Sequence, residues 1–174
     1  MSFNKVMVTA LMTMGMVNFA HAATDQGHGK VTFTGAIIDA PCSVSPDSVD
    51  QVVNLGQISN KVLEKMGKSN PRDFDIKLEN CDTATLKTVT TTFSGVGSAN
   101  NPKLLGIAGS ASGAGVAISH NGAVVELGKP TMPFILANGD STIHFAAYLQ
   151  GESASAAIVP GDFSAVANWT LAYQ

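Results

Sequence analysis

Apolar and polar residues alternate most strictly over the last twelve positions, residues 163–174 (FSAVANWTLAYQ). One alternate set is Phe163, Ala165, Ala167, Trp169, Leu171 and Tyr173, all apolar or aromatic. The other is Ser164, Val166, Asn168, Thr170, Ala172 and Gln174, mixed and mostly polar. Successive side chains on a strand point to opposite faces, so the pattern predicts a long strand with one buried face. Such a strand needs a neighbour on each edge or some protection of the open one. Either it lies at a sheet edge, or something other than the residues after it pairs with it. The rest of the sequence favours the second arrangement.

The same period of two recurs near the other end. Residues 27–35 place Gly27, Gly29, Val31, Phe33 and Gly35 on one face and His28, Lys30, Thr32 and Thr34 on the other. This is a strand whose apolar face begins with two residues lacking side chains, as expected where another backbone comes close. Residues 36–40 (AIIDA) continue the strand until Pro41 breaks it. Residues 43–55 read as short and extended, with Val44, Val49, Val52, Val53 and Leu55 partly buried. Ile58, Val62, Leu63 and Met66 have a weak helical spacing, which predicts a short helical turn or loop.

Residues 73–80 alternate cleanly, with Phe74, Ile76 and Leu78 inward and Asp75, Lys77 and Glu79 outward. Residues 86–93 (LKTVTTTF) form another strand, and 95–115 are Gly/Ser/Ala/Asn-rich surface loops with one short strand near Leu104 and Leu105. Asn121 and Gly122 lie between two apolar runs and signal a two-residue hairpin. Residues 134–136 lead into a turn at Asn138, Gly139 and Asp140. Residues 142–150 then carry Ile143, Phe145, Ala147 and Leu149 on one strand face. Short strands at this spacing, roughly seven of them, with Gly/Asn turns and almost no helix, predict an immunoglobulin-like antiparallel β-sandwich.

The start of the chain changes the picture. Lys5 supplies a positive charge, residues 6–17 are an apolar run, and Ala20-His21-Ala22 fits the small-x-small cleavage rule. Residues 1–22 read as a secretory signal peptide, too short in its apolar part to serve as a permanent anchor. Cleavage leaves 152 residues, one domain with a real core. It removes one cation and no anion, so nine basic side chains face thirteen acidic ones, a net charge of −4. With no basic patch, nucleic acid is excluded as a partner. No later apolar stretch approaches the length of a membrane span, so the mature chain is expected to be soluble. Cys42 and Cys81 are the two cysteines. In an exported chain such a pair is most simply one disulfide, and two sulfurs without a nearby histidine make a poor zinc site.

Catalytic chemistry has little to stand on. Of the four histidines, His21 leaves with the signal, and His28, His120 and His144 are solitary, without metal-ligand spacing. There is no G-x-S-x-G; residues 109–113 (GSASG) carry Ala where a nucleophile would be needed. The glycines of 95–115 fit no dinucleotide or phosphate loop. Asn168-Trp169-Thr170 is formally a glycosylation acceptor, but it lies within the terminal strand pattern and reads as a chance match. Asp73 and Asp75 share one strand face as ordinary exposed positions. No enzyme, metal or cofactor is expected.

Three stretches carry a resemblance: residues 26–44 (QGHGKVTFTGAIIDAPCSV), 73–82 (DFDIKLENCD) and 161–174 (GDFSAVANWTLAYQ). Together with the signal peptide and the spacing of the cysteines, they make the chain resemble the pilins of the chaperone–usher class. Among these it is most similar to the major rod subunit of P pili and related fimbriae. The resemblance spans essentially the whole mature chain and is most specific at its two ends.

The resemblance implies an all-β, incomplete immunoglobulin-like sandwich lacking its final strand, residues 36–174, preceded by a donor-strand extension, residues 23–35. A periplasmic chaperone fills the gap first. The extension of the next subunit then replaces it at an outer-membrane usher, so the partners implied are copies of the chain itself, a chaperone and an usher, with a host receptor possible for the assembled fibre. Gly29 is then expected in the shallow pocket where exchange passes, Val31 and Phe33 in neighbouring pockets, and Gly27 near the pocket where exchange begins. Gly161, fourteenth from the end, and Tyr173, one from the end, match the family's chaperone-recognition motif, with Phe163, Ala165, Ala167, Trp169 and Leu171 between them on the acceptor strand. An unfinished sandwich exposes a row of backbone groups and a strip of core, and an added strand satisfies both, a mode of which chaperone–pilin complexes are a known example.

Competing explanations stand beside these roles. Gly27 and Gly29 serve equally as linker glycines, Val31 and Phe33 could pack within their own subunit, and Gly161 could be a turn before Asp162. Two further functions compete with a rod subunit: a minor subunit such as a tip adaptor, and a secreted receptor-binding module. Gly29 argues against a terminating subunit. A chain of this length that keeps the extension has no room for a separate lectin domain, and only Trp169, Tyr148 and Tyr173 are available to stack on a sugar.

Overall fold

The computed structural model describes residues 27–174. The expected signal peptide, residues 1–22, and residues 23–26 lie outside the described residues. Residues 38–174 form a compact unit, and Ile37 ends a separate N-terminal one.

In chain order the compact unit contains β1 (Ser43–Val44), α1 (Pro46–Val49) and α2 (Asn60–Leu63), the last continued by a 3-10 turn, Glu64–Met66. There follow β2 (Arg72–Cys81), β3 (Thr88–Ser94), β4 (Leu105–Gly106), β5 (Ala108–Gly109), β6 (Ala114–His120) and β7 (Ala123–Val124). The chain closes with β8 (Phe134–Ile135), β9 (Gly139–Gly151), β10 (Phe163–Ser164) and β11 (Asn168–Tyr173). One sheet has the order β1-β2-β9-β6-β4, with β7 hairpinned onto β6; a second has the order β11-β3-β8; β10 pairs with β5. All of these ladders are antiparallel.

The two larger sheets meet through their apolar faces. Phe93 on β3 packs edge-on against Phe145 on β9, ring centroids 5.0 Å apart, and against Phe74 on β2 at 6.2 Å. Phe74 and Phe145 stack on each other at 5.5 Å. Ile76, Leu78, Val89, Ile143 and Leu149 complete a buried layer around them. Each such side chain contributes roughly 1.5–3 kcal/mol by leaving water. Cys42 and Cys81 are joined in a disulfide across a separation of 39 residues. By chain entropy a loop of that length stabilises the fold by about 4 kcal/mol.

Most of the sequence pattern reappears. Asn121 and Gly122 take positive φ of 50° and 79°, the I′ turn that lets His120 pair with Ala123. Phe74, Ile76 and Leu78 point to the core as expected, and the weak helical spacing at 58–66 becomes α2 and its 3-10 turn.

Three expectations change. Residues 43–55 are not simply extended, because Pro46 starts the turn α1 at a position where its missing N–H costs nothing. That turn buries Ser48, whose Oγ accepts the Lys77 backbone N–H at 2.9 Å. The terminal strand is split, because its partners differ: Phe163 and Ser164 pair with β5, whereas Asn168–Tyr173 pair with β3. The alternation of half-buried and exposed side chains nevertheless runs unbroken from Phe163 to Gln174. Finally, residues 27–40 form no strand. Alternation states which side chains share a face, but a strand also needs a neighbouring edge to bond to.

Candidate functional site

The sandwich is open along one side. A cavity of about 1390 Å³ runs between two lips, residues 49–58 and residues 158–169. Its floor is apolar, built by Phe74, Phe93, Leu105, Val116, Ile118 and Leu149. The first lip forms no ladder. It is held by Gln51, whose Nε2 donates to the Asp75 carbonyl at 2.8 Å and the Ser48 carbonyl at 3.2 Å, and Val53, Leu55 and Ile58 turn half-buried side chains inward.

The second lip is the chain terminus. Phe163, Ala165, Ala167 and Trp169 line the cavity, each only half-buried. Leu171 and Tyr173 continue the same face beyond the cavity's end and pack, also half-buried, on the core. Tyr173 brings its hydroxyl out of water with no hydrogen-bond partner among the described residues, and burial raises its pKa above the ordinary phenol value.

The edge of β11 is as open as the cavity. Gln174 and Thr88 exchange two backbone hydrogen bonds, both 2.9 Å. In an antiparallel ladder such pairs alternate with non-bonded ones, so Asn168, Thr170 and Ala172 aim their backbone groups at β3. Trp169, Leu171 and Tyr173 aim theirs the other way. Among the described strands β11 has β3 as its sole ladder neighbour, so that outward row of N–H and C=O groups has no strand to bond.

Gly161 is explained by close approach rather than by a free turn. A Cβ there would fall on Ser110 Oγ and within 2.7 Å of the Ala111 nitrogen. The strip beside it is tied down by backbone bonds, with Ser110 N–H and Ala111 N–H both donating to the Asp162 carbonyl at 3.0 and 3.1 Å. Among the described residues, Asp162 and Asp50 are the charged ones that line the cavity, one on each lip.

In the N-terminal unit, Gly27, Gly29, Val31 and Phe33 lie in an exposed segment without regular structure; Val31 is 75% and Phe33 90% exposed. Ile37 is fully exposed. The resemblance ends the donor extension at Gly35, although Gly35 and Ile37 continue the alternate positions of Val31 and Phe33. It also gave no role to residues 49–58, whose function as a lip depends on a path that local pattern does not encode.

His120 and His144 make their contacts within the first sheet. His144 Nδ1 lies 2.7 Å from Asp75 Oδ1 on the neighbouring strand, and the His120 ring packs 5.0 Å from Phe145. Among the described residues no three potential ligands gather for a metal, and no helix is long and apolar enough to cross a membrane. The aromatic residues considered for sugar stacking are not displayed for it: Trp169 and Tyr173 face inward, and Tyr148 is buried with Lys68 Nζ 5.3 Å from its ring centre.

Comparison with known proteins agrees with this geometry. The family described as fimbrial protein matches residues 31–174. The Fimbria A protein of Serratia marcescens is 60% identical over the whole of both chains. A solved structure of a chaperone–usher pilus, concerned with rod uncoiling, superposes with a TM-score of 0.77 at 37% identity, covering 86% of this chain and 98% of that one. The crystal structure of the P pilus rod subunit PapA superposes with a TM-score of 0.70 at 34% identity, covering 78% of this chain and all of that one. An open antiparallel sandwich with a bare terminal edge, matched in sequence from end to end, identifies the chain as a member of the fimbrial protein family, the chaperone–usher pilins.

Proposed function

We propose that this pilin is the repeating rod subunit of its fimbria and that its groove is filled by residues 27–37 of the next copy. As a fimbrial subunit it is exported to the cell surface and works as a structural part, not an enzyme. The observation that carries the proposal is a pair of complementary deficits. One surface lacks a strand along a cavity and a bonding edge; one segment has strand alternation, exposed apolar side chains and no edge to bond to.

The two match in number. The lip offers four inward positions: Phe163, Ala165, Ala167 and Trp169. The segment offers four on its apolar face: Val31, Phe33, Gly35 and Ile37. Since the ladders of this fold are antiparallel, the segment is taken to run antiparallel to the second lip, with Ile37 toward Phe163 and Val31 toward Trp169. Gly27 and Gly29 then fall past Trp169, the last residue of the terminal strand that lines the cavity. Burying Val31, Phe33 and Ile37 contributes roughly 1.5–3 kcal/mol each, and ladder bonds to both lips add to that. A contact of this kind is head-to-tail and does not close on itself, so it yields a filament.

The same deficit requires protection before assembly. A periplasmic chaperone that lends a strand to the groove, reading Gly161 to Tyr173, and an outer-membrane usher where the strands exchange complete the proposal.

The test is thermal unfolding of the exported chain with a copy of residues 23–38 fused by a short linker after Gln174. The fused chain melts at least about 10 °C above the unfused one, given about 2–4 °C per kcal/mol at this size. Phe33→Asp in the added copy abolishes the gain. Equal melting of all three chains would overturn the proposal.

A further inference from the structure

We propose that Lys30 of the incoming segment is drawn to Asp50 at one end of the groove, and that this charge pair sets the direction in which the segment seats. The inference rests on the donor-strand reading above and adds a specificity-determining contact to it.

The two charges of the groove sit at opposite ends. Gln51, next to Asp50, donates to the Asp75 carbonyl; Phe74, next to Asp75, packs on Phe93; and Phe93 is the ladder partner of Trp169. Asp50 and Trp169 therefore mark one end. At the other, Leu63 crosses close over Gly151, whose ladder partner is Ala114, and the neighbouring Gly113 packs against Ala157. Asp162 belongs with that end. Both aspartates are exposed, and neither enters an ion pair among the described residues. Asp47 on α1 adds a second negative charge beside Asp50.

The segment is asymmetric as well. Across residues 27–38 Lys30 is the one residue among Lys, Arg, Asp and Glu, with His28 two positions before it and Asp39 just past the C-terminal end. Lys30 lies on the polar face, one residue before Val31. Antiparallel seating carries it to Asp50; parallel seating would carry it to Asp162. Each end thus offers one aspartate, and Asp47 beside Asp50 makes the antiparallel end the more negative of the two, which favours that direction before the apolar side chains have entered their pockets. Charges at an exposed rim act mainly on the encounter rate and its salt dependence, and little on final affinity.

The experiment is stopped-flow association of a fluorescein-labelled peptide of residues 26–38 with the whole exported chain, at about 20 mM and about 1 M salt. Lys30→Glu in the peptide slows association about tenfold at low salt and less than twofold at high salt. Asp50→Lys in the chain restores the rate of the Lys30→Glu peptide and slows the native one, whereas Asp162→Lys does neither. Equal rates for the native and Lys30→Glu peptides at low salt would overturn the inference, as would rescue by Asp162→Lys in place of Asp50→Lys. The native peptide and Phe33→Asp separate the two levels of the argument. If Phe33→Asp binds as well as the native peptide, the donor-strand reading itself fails. If it does not bind while Lys30→Glu binds normally, only the charge pair is wrong.

Discussion

Strands β9 and β11 have the same alternating sequence pattern and opposite fates. Strand β9 lies between β2 and β6, and its inward residues Ile143 and Phe145 are 1% and 2% exposed. Among the described strands, strand β11 has a neighbour on one edge only, and its inward residues Trp169, Leu171 and Tyr173 stay half-buried. Alternation therefore fixes which face turns inward, while the number of neighbours fixes how far that face is buried. The first sheet is finished within the chain, and the second waits for a strand.

Substitutions should separate the two regions. The largest effect is expected in the finished one: Phe145→Ala removes a ring packed on Phe74, Phe93 and His120, and chemical denaturation should show a loss of about 3–5 kcal/mol. Trp169→Ala should cost the lone subunit roughly 2 kcal/mol, because that side chain is not fully withdrawn from water. In the fused, strand-filled chain the same substitution should approach the Phe145 value. Equal costs in both forms of the chain would remove the distinction between finished and unfinished sheets.

A smaller effect sharpens the reading of the lip. Gly161→Ala drives a Cβ into Ser110 and the Ala111 nitrogen, with a cost of roughly 1–3 kcal/mol by overpacking. The loss should appear in denaturation of the isolated subunit, with no chaperone present. A neutral result would leave Gly161 as a recognition residue alone.

The smallest effect is a control at residues that do not line the groove. Lys103 and Lys129 both bond the half-buried Glu126 carboxylate and lower its pKa from 4.5 to about 2. A lowered carboxyl pKa stabilises the fold above the unfolded value and ceases to do so as pH falls through the folded one. The melting difference between the native chain and Glu126→Gln should therefore be small at neutral pH and vanish between about pH 4.5 and 2, equally with the groove open or filled.

Much of this was legible in the sequence, and the losses have identifiable causes. The Asn121-Gly122 hairpin, the inward face of β2 and the Cys42–Cys81 bridge each depend on residues close in sequence or on a pairing with one simple solution. The lip at 49–58 was not legible, because its path is set by Gln51 reaching residues 3 and 24 positions away. The segment 27–37 was read as a strand on pattern alone, yet it forms none within its own chain. There the pattern describes a partner's groove rather than its own surroundings. Ile37 lies on the strand pattern but outside the extension of residues 23–35 that the resemblance implies, because Gly35 carries no side chain to continue the apolar face.

The central claim, that β11 is an edge completed from outside, is tested most directly by amide hydrogen exchange at Trp169, Leu171 and Tyr173. Their N–H groups face the open edge, whereas those of Thr170 and Ala172 bond β3. In the isolated subunit the three should exchange far faster than their neighbours. In the assembled fibre all five should be comparably protected, a slowing of about a thousandfold or more for the first three. Slow exchange at Trp169, Leu171 and Tyr173 in the isolated subunit, or no change on assembly, would contradict the account.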